Sequence, residues 1–490
     1  MGNLNSIPSI SIIIKKNFLS FKSVFPSLTK GEIVESVLNY ISKNKENYVN
    51  ELKDYLRIPS ISTLSSHKND MLKCAEFVSK KMKDAGLDKV EILKTEGNPL
   101  VYGEWLNAPG KPTVLIYGHY DVQPVDPINL WKSDPFEPVI EDGKIWARGA
   151  NDNKGQNFVH IKSVEAFLKS ENKLPLNVKF LIEGEEEVGS ENLEKFLKAN
   201  KDKLKCDAVL ISDTSLYKEG TPTLNYGLRG LSYMEVELTG PNKDLHSGSF
   251  GGSVANPINE LAKIISKLHD KNGKVTIPDF YKDVLPFTKK EIENINNLKF
   301  SDKNYAKELG VKELQGEKGF NTLQRIWGRP TLDCNGIFGG FTGEGAKTVL
   351  PSKATAKISM RLVPNQDPKK ISKEFTKYIK LLAPKSVSVK ITDMHGGYPV
   401  VVSLEDPAIM AASKAVEKAF GKKTVYTREG GSIPIVVDFV KQLKAPAILM
   451  GLGLDSDNIH SPNEHFSLKS FELGILSSAY FINEYSQIKI

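Results

Sequence analysis

The stretch Thr113-Val114-Leu115-Ile116-Tyr117-Gly118-His119-Tyr120-Asp121 decides how this chain folds. Residues 113–117 form a strand-length run with no polar alternation, the pattern of a strand buried on both faces. It stops at a glycine and is followed at once by His-x-Asp. Three more runs repeat the design. Val178–Ile182 leads into Glu183-Gly184-Glu185-Glu186-Glu187, and Ala208–Ile211 ends in Ser212-Asp213. Ala445–Met450 leads through a glycine-rich turn to His460-Ser461-Pro462-Asn463-Glu464. Helical patterns lie between several of them, at Lys154–Lys169 and at Ser190–Lys198. Ser190 is the expected N-cap of the second, with Glu191 and Glu194 in its first turn. Continuous apolar strands alternating with helices predict an α/β fold, a mostly parallel sheet covered on both faces.

The middle of the chain differs. Leu231–Leu238 and Lys353–Leu362 alternate apolar and polar, as half-buried strands do. Helical patterns follow at Asn256–His269 and Pro368–Leu382, and Ser386–Ile391 has strand character. This predicts an α+β unit over 227–396 inserted into a larger domain made of 31–226 and 397–490. Residues 270–330 are charged and weakly periodic, an insertion within the smaller unit.

With 490 residues, two domains are the simplest division. The net charge is +7, and four of those charges (Lys15, Lys16, Lys22, Lys30) lie in the first 30 residues, which hold no acid. The folded part therefore carries no basic excess of the kind a nucleic-acid binder shows. No apolar run approaches the roughly 20 residues that cross a bilayer. Cys74, Cys206 and Cys334 are far apart and odd in number, which fits a reducing, cytoplasmic setting better than a disulfide framework. Residues 1–30 are read as an N-terminal extension, disordered or a targeting segment; the start formally matches a myristoylation pattern.

In a parallel sheet the strand C-termini share one edge, where ligands bind. His119, Asp121, Asp152, Glu186, Glu187, Asp213 and His460 all follow strand ends or, for Asp152, precede a helix, so they converge on one cleft. Five carboxylates brought together repel, and some would take up protons. One or two divalent cations remove that problem, and imidazole with carboxylate suits Zn²⁺ or Mn²⁺. Such a pair lowers the pKa of a bridging water from 15.7 to roughly 7, and a remaining glutamate can serve as general base. A lone His-x-Asp is a common strand-end accident, and a glutamate triplet is commonly a solvated face. Their joint order and placement argue for chemistry.

Several motifs make the chain resemble the co-catalytic metallopeptidases that include carnosinases and cytosolic non-specific dipeptidases, with acetylornithine deacetylase, succinyl-diaminopimelate desuccinylase and glutamate carboxypeptidase as more distant members. They are GHYDVQP (118–124), RGANDNKG (148–155), EGEEEVGS (183–190), LISD (210–213), DLHSG (244–248), RLVPNQ (361–366), REGGSIP (428–434) and HSPNE (460–464). The resemblance implies two divalent metal ions per subunit. His119 and Asp213 would hold one, Glu187 and His460 the other, and Asp152 would bridge them. Asp121 would orient His119, and Glu186 would be the general base. It further implies that the inserted unit is a lid that forms a homodimer, with His246 reaching the other subunit's site to stabilise the oxyanion. Thr348, Arg361 and Ser432 match positions that hold the substrate. The family often has Thr-Asp-Asp-Lys-Gly where this chain has Asn151-Asp152-Asn153-Lys154-Gly155, so Asn153 removes one negative charge.

The implied reaction is metal-dependent hydrolysis of dipeptides or short peptides with a free C-terminal carboxylate. N-acyl-amino-acid deacylation is the alternative on the same fold, and a non-catalytic binding relative is the alternative from another class. A phosphate loop at 339–348 is excluded because Ala346 breaks the required Gly-Lys order, and no Gly-x-Ser-x-Gly elbow exists for a serine hydrolase.

Overall fold

The computed structural model describes residues 34–430 and 434–489. The expectation for residues 1–30, and that for Ser432, lie outside the described residues.

The larger unit is built on a nine-stranded sheet. Its centre is parallel: Asn177–Glu183, Thr113–His119, Ala208–Ile211 and Ala447–Met450 are neighbours in that order. Its flanks turn antiparallel, through Leu100–Trp105 and Lys89–Leu93 on one side and Thr223–Leu228 on the other. The central strands are buried along nearly their whole length, as continuous apolar runs require. Helix Lys154–Glu171 is buried on almost every face, packed among Val34–Leu56, Leu468–Tyr485 and strand Thr113–His119. At Gly118 an added Cβ would lie 2.5 Å from Asn157 Cβ and 2.9 Å from Asn153 Oδ1. Only glycine lets this helix start approach the strand end that closely.

A second, four-stranded antiparallel sheet has the order Thr331–Gly339, Lys353–Leu362, Gly230–Thr239, Ser388–Gly397. Burial alternates residue by residue along Gly230–Thr239, as its sequence pattern predicts. Helices Pro257–Ser266 and Pro368–Leu382 cover this sheet around a core that includes Val236, Ile358 and Phe375. Each starts the same way: Asn256 or Asp367 caps the first turn, and a proline occupies the first helical position.

Three local expectations change. Ser190 occupies the N-cap position of Glu191–Ala199 but does not cap it; at φ 55° its Oγ donates instead to Glu183 Oε1, 2.9 Å away. Thr331–Gly339 is an edge strand that the sequence reading lacked; its exposed face carries apolar residues and blurs the alternation. Residues 270–330 contain helices Lys289–Asn297 and Thr322–Gly328, each with a capping box. These helices also dock on the larger sheet. Asn294 Nδ2 donates to Tyr426 O at 2.7 Å, Tyr226 donates to Glu291 at 3.1 Å, and Glu291 pairs with Arg428.

Candidate metal centre

The parallel register sets His119 opposite Glu183 and Tyr117 opposite Ile211, so three strands end level with one another. The chain beyond each end turns into the same cleft. His119 is fully buried. Its Nδ1 lies 3.1 Å from the Asp121 carbonyl and 3.4 Å from Asp121 Oδ1, which fixes the ring. Its Nε2 lies 3.1 Å from Asp152 Oδ1 and 3.8 Å from Asp213 Oδ1. On the other side of Asp152, Oδ2 is 2.9 Å from His460 Nε2, which is itself 3.3 Å from Glu187 Oε2. Two sets of ligand atoms result, His119/Asp152/Asp213 and Asp152/Glu187/His460, each within 4.8 Å, with Asp152 common to both.

Neighbouring side chains hold this arrangement. Asp121 accepts the backbone N–H groups of Glu186 and Glu187 at 3.3 and 3.1 Å, so one carboxylate orients His119 and also places both glutamates. Gln123 Nε2 donates to Glu187 Oε2 at 2.7 Å. Asn153 Nδ2 donates to Asp213 Oδ1 and to the Ser212 carbonyl, both at 2.7 Å. An aspartate there could not donate as carboxylate, so the departure noted in the sequence gives Asp213 a neutral donor. Glu464, fully buried, pairs with Arg148 and accepts the backbone N–H groups of Gly149, Asn151 and Asp152 at 2.9–3.0 Å. It thereby ties the loop bearing His460 to the loop bearing Asp152. The sequence reading assigned no role to Gln123 or Glu464, although both sit inside motifs it singled out.

The electrostatics ask for positive charge. Burial raises the Glu186 pKa well above the usual carboxylate value, and Asp213, Asp152 and Glu187 add to the rise. Burial and the Asp152 charge raise Glu187 and Asp213 as well. Burial opposes charge on His119, but Asp121, Asp152 and Asp213 outweigh it and lift its pKa well above the usual value. Asp152 and then Glu187 lift His460 to about 10. Burial of Asp152 is outweighed by the two imidazoles, which lower its pKa. His119 Nε2 is buried with no well-formed hydrogen bond among the described residues. A buried ring nitrogen that faces carboxylates without a well-formed hydrogen bond, where those carboxylates repel one another, fits a pair of divalent cations.

These residues open onto a cleft of about 250 Å³ lined by Asp152, Glu186, Asp213, Glu429 and His460. His246, Thr348 and Arg361 do not line it within this chain. His246 and Thr348 are exposed together on the inserted unit, where the Ser247 N–H donates to the Thr348 carbonyl at 3.1 Å. Arg361 is half-buried beside Asp333.

Residues 115–484 match the model of peptidase family M20/M25/M40. The Cys-Gly metallodipeptidase dug1 of Schizosaccharomyces pombe is 33% identical over 471 residues, covering 93% of this chain and 99% of that protein. The human Beta-Ala-His dipeptidase is 30% identical over 494 residues, covering 97% and 96%. The crystal structure of human carnosine dipeptidase 1 superposes with a TM-score of 0.80 at 30% identity, over 94% of this chain and all of that one. With a strand-edge cluster of imidazoles and carboxylates at its centre, the chain belongs to peptidase family M20/M25/M40.

Proposed function

We propose that the protein is a metallo-dipeptidase that hydrolyses dipeptides or short peptides with a free C-terminal carboxylate. One observation carries this reading: two histidine–carboxylate groups share Asp152, beside a buried glutamate in a small cleft. Full-length similarity to proteins named as dipeptidases supports the substrate class.

His119, Asp152 and Asp213 would hold one divalent cation, and Asp152, Glu187 and His460 the second, with Zn²⁺ or Mn²⁺ suited to these donors. When bound, the pair would supply Lewis acidity and a lowered pKa for the attacking water. Asp121 keeps the His119 ring oriented through Nδ1. Glu186 accepts a proton from the attacking water on its carboxylate and delivers it to the leaving amine. Arg361, Thr348 and Ser432 hold the substrate, with Arg361 paired to its carboxylate. His246 serves the cleft of a second copy, stabilising the oxyanion. The inserted unit, 227–396, acts as lid and dimer contact. Its edge strand supports that part of the reading, since Ile337 and Phe338 are 52% and 53% exposed there. A cytoplasmic location completes the reading, in keeping with three free thiols. Among the described residues, no helix is long and apolar enough to cross a membrane.

The test is a panel of dipeptides and N-acyl amino acids on metal-stripped protein reloaded with Zn²⁺ or Mn²⁺. Cleavage of free dipeptides is expected. Cleavage of acylated substrates only would establish the deacylase, and binding without turnover a non-catalytic relative.

A further inference from the structure

Glu429 ends strand Val425–Glu429 and lines the cleft, yet it belongs to neither group of prospective metal ligands. The backbone N–H of Ser215 bonds its carboxylate, which anchors the side chain beside the end of strand Ala208–Ile211. Its Oε2 is buried and has no hydrogen-bond partner among the described residues. Leaving a carboxylate oxygen in that state costs free energy unless a donor arrives. Leu228 and Ile459 line the same cleft and offer apolar contact to a neighbouring side chain. A carboxylate oxygen left without a donor beside apolar walls suits a hydrogen-bond donor, an ammonium above all, attached to something partly apolar.

We infer that Glu429 is a specificity residue, which receives the free α-ammonium of the substrate's N-terminal residue on Oε2. The inference rests on the dipeptidase reading and deepens it. It makes Glu429 the reason that an amine-blocked substrate is rejected. An acyl group at that position brings no charge and leaves the carboxylate unpaired, a penalty that falls on the wrong substrate rather than the right one.

The test crosses enzyme variants with substrate amines. A dipeptide, its desamino analogue and its N-acetyl derivative are assayed on metal-loaded wild type and on Glu429→Gln, which keeps the shape and the acceptor for Ser215. Wild type should prefer the free amine over the desamino analogue by on the order of 10- to 100-fold in kcat/KM, the range of a hydrogen bond to a charged group. Glu429→Gln should lose most of that preference by slowing the dipeptide alone, with metal content unchanged. Glu429→Asp, which keeps the charge but shortens its reach, should retain part of it and covers the case of a glutamine variant that does not fold. Binding of a non-hydrolysable free-amine analogue, measured by calorimetry, should weaken in parallel. If both variants slow the dipeptide and the desamino analogue equally, Glu429 has only a structural role and the inference is overturned. Wild type that cleaves only acylated substrates would instead overturn the dipeptidase reading, and the inference with it.

Discussion

Glu186 and Glu187 are neighbours in sequence, yet the fold gives them different work. Glu187 faces His460 at 3.3 Å, whereas Glu186 lies in neither ligand group and has the more strongly raised pKa. Glu186→Ala should therefore keep its metal and lose roughly 10²–10⁴-fold in kcat, the usual contribution of a general base. Steady-state kinetics beside metal analysis checks this, and near-normal turnover in a metal-replete variant would remove Glu186 from the mechanism. Asn153 is the second informative residue, since it is a donor to Asp213 at 2.7 Å. Asn153→Ala should weaken metal binding by about 10–100-fold, as loss of a partner to a ligand typically does. Metal titration of the stripped protein measures it, and an unchanged affinity would count against any supporting role.

At the scale of elements, helix Lys154–Glu171 joins the cleft to the rest of the core. His160 on this helix is fully buried, with Ser478 Oγ and Ser212 Oγ each 2.9 Å from a ring nitrogen. It thereby connects the C-terminal helix Leu468–Tyr485 to the residue preceding Asp213. Burial lowers the His160 pKa from 6.5 to about 3, so between those values the folded state binds fewer protons than the unfolded chain. Stability from this group is present above pH 6.5 and is lost as the pH falls toward 3, with a slope of at most about 1.4 kcal/mol per pH unit. Denaturant unfolding between pH 4 and 7 should show a shallower slope for His160→Asn than for wild type. An identical slope would assign the acid sensitivity to other groups.

For the whole molecule, the proposal that His246 acts in a second copy has a direct consequence. Neither His246→Ala nor Glu186→Ala homodimers should turn over well. Mixed dimers should recover activity, because one of their two clefts then combines an intact Glu186 with an intact His246. Subunit exchange followed by assay tests this, and no recovery would place His246 outside the reaction. The apolar edge strand gives the matching physical test: Phe338→Glu should shift the sedimentation of the protein toward monomer and lower activity with it.

Much of this architecture was legible in one dimension. Buried parallel strands are written as continuous apolar runs, so their positions, and the fact that His119, Glu187, Asp213 and His460 follow strand ends, could be read directly. The two alternating strands of the second sheet and the helical patterns that follow them were equally plain, because periodicity is a local signal, whereas the cap expected of Ser190 did not form. Residue pairing was not. That Asp152 faces His119 with one oxygen and His460 with the other depends on three loops meeting, as does the tie from Glu464 to the backbone of Asp152. The edge strand Thr331–Gly339 escaped because its exposed face is apolar, and the docking of Lys289–Asn297 because it rests on contacts far apart in sequence. Local periodicity thus determined the central strands and the chemistry-bearing residues that follow them. Only long-range packing decided which of those side chains touch, since hydrogen bonds and ion pairs depend on distances that no sequence spacing records.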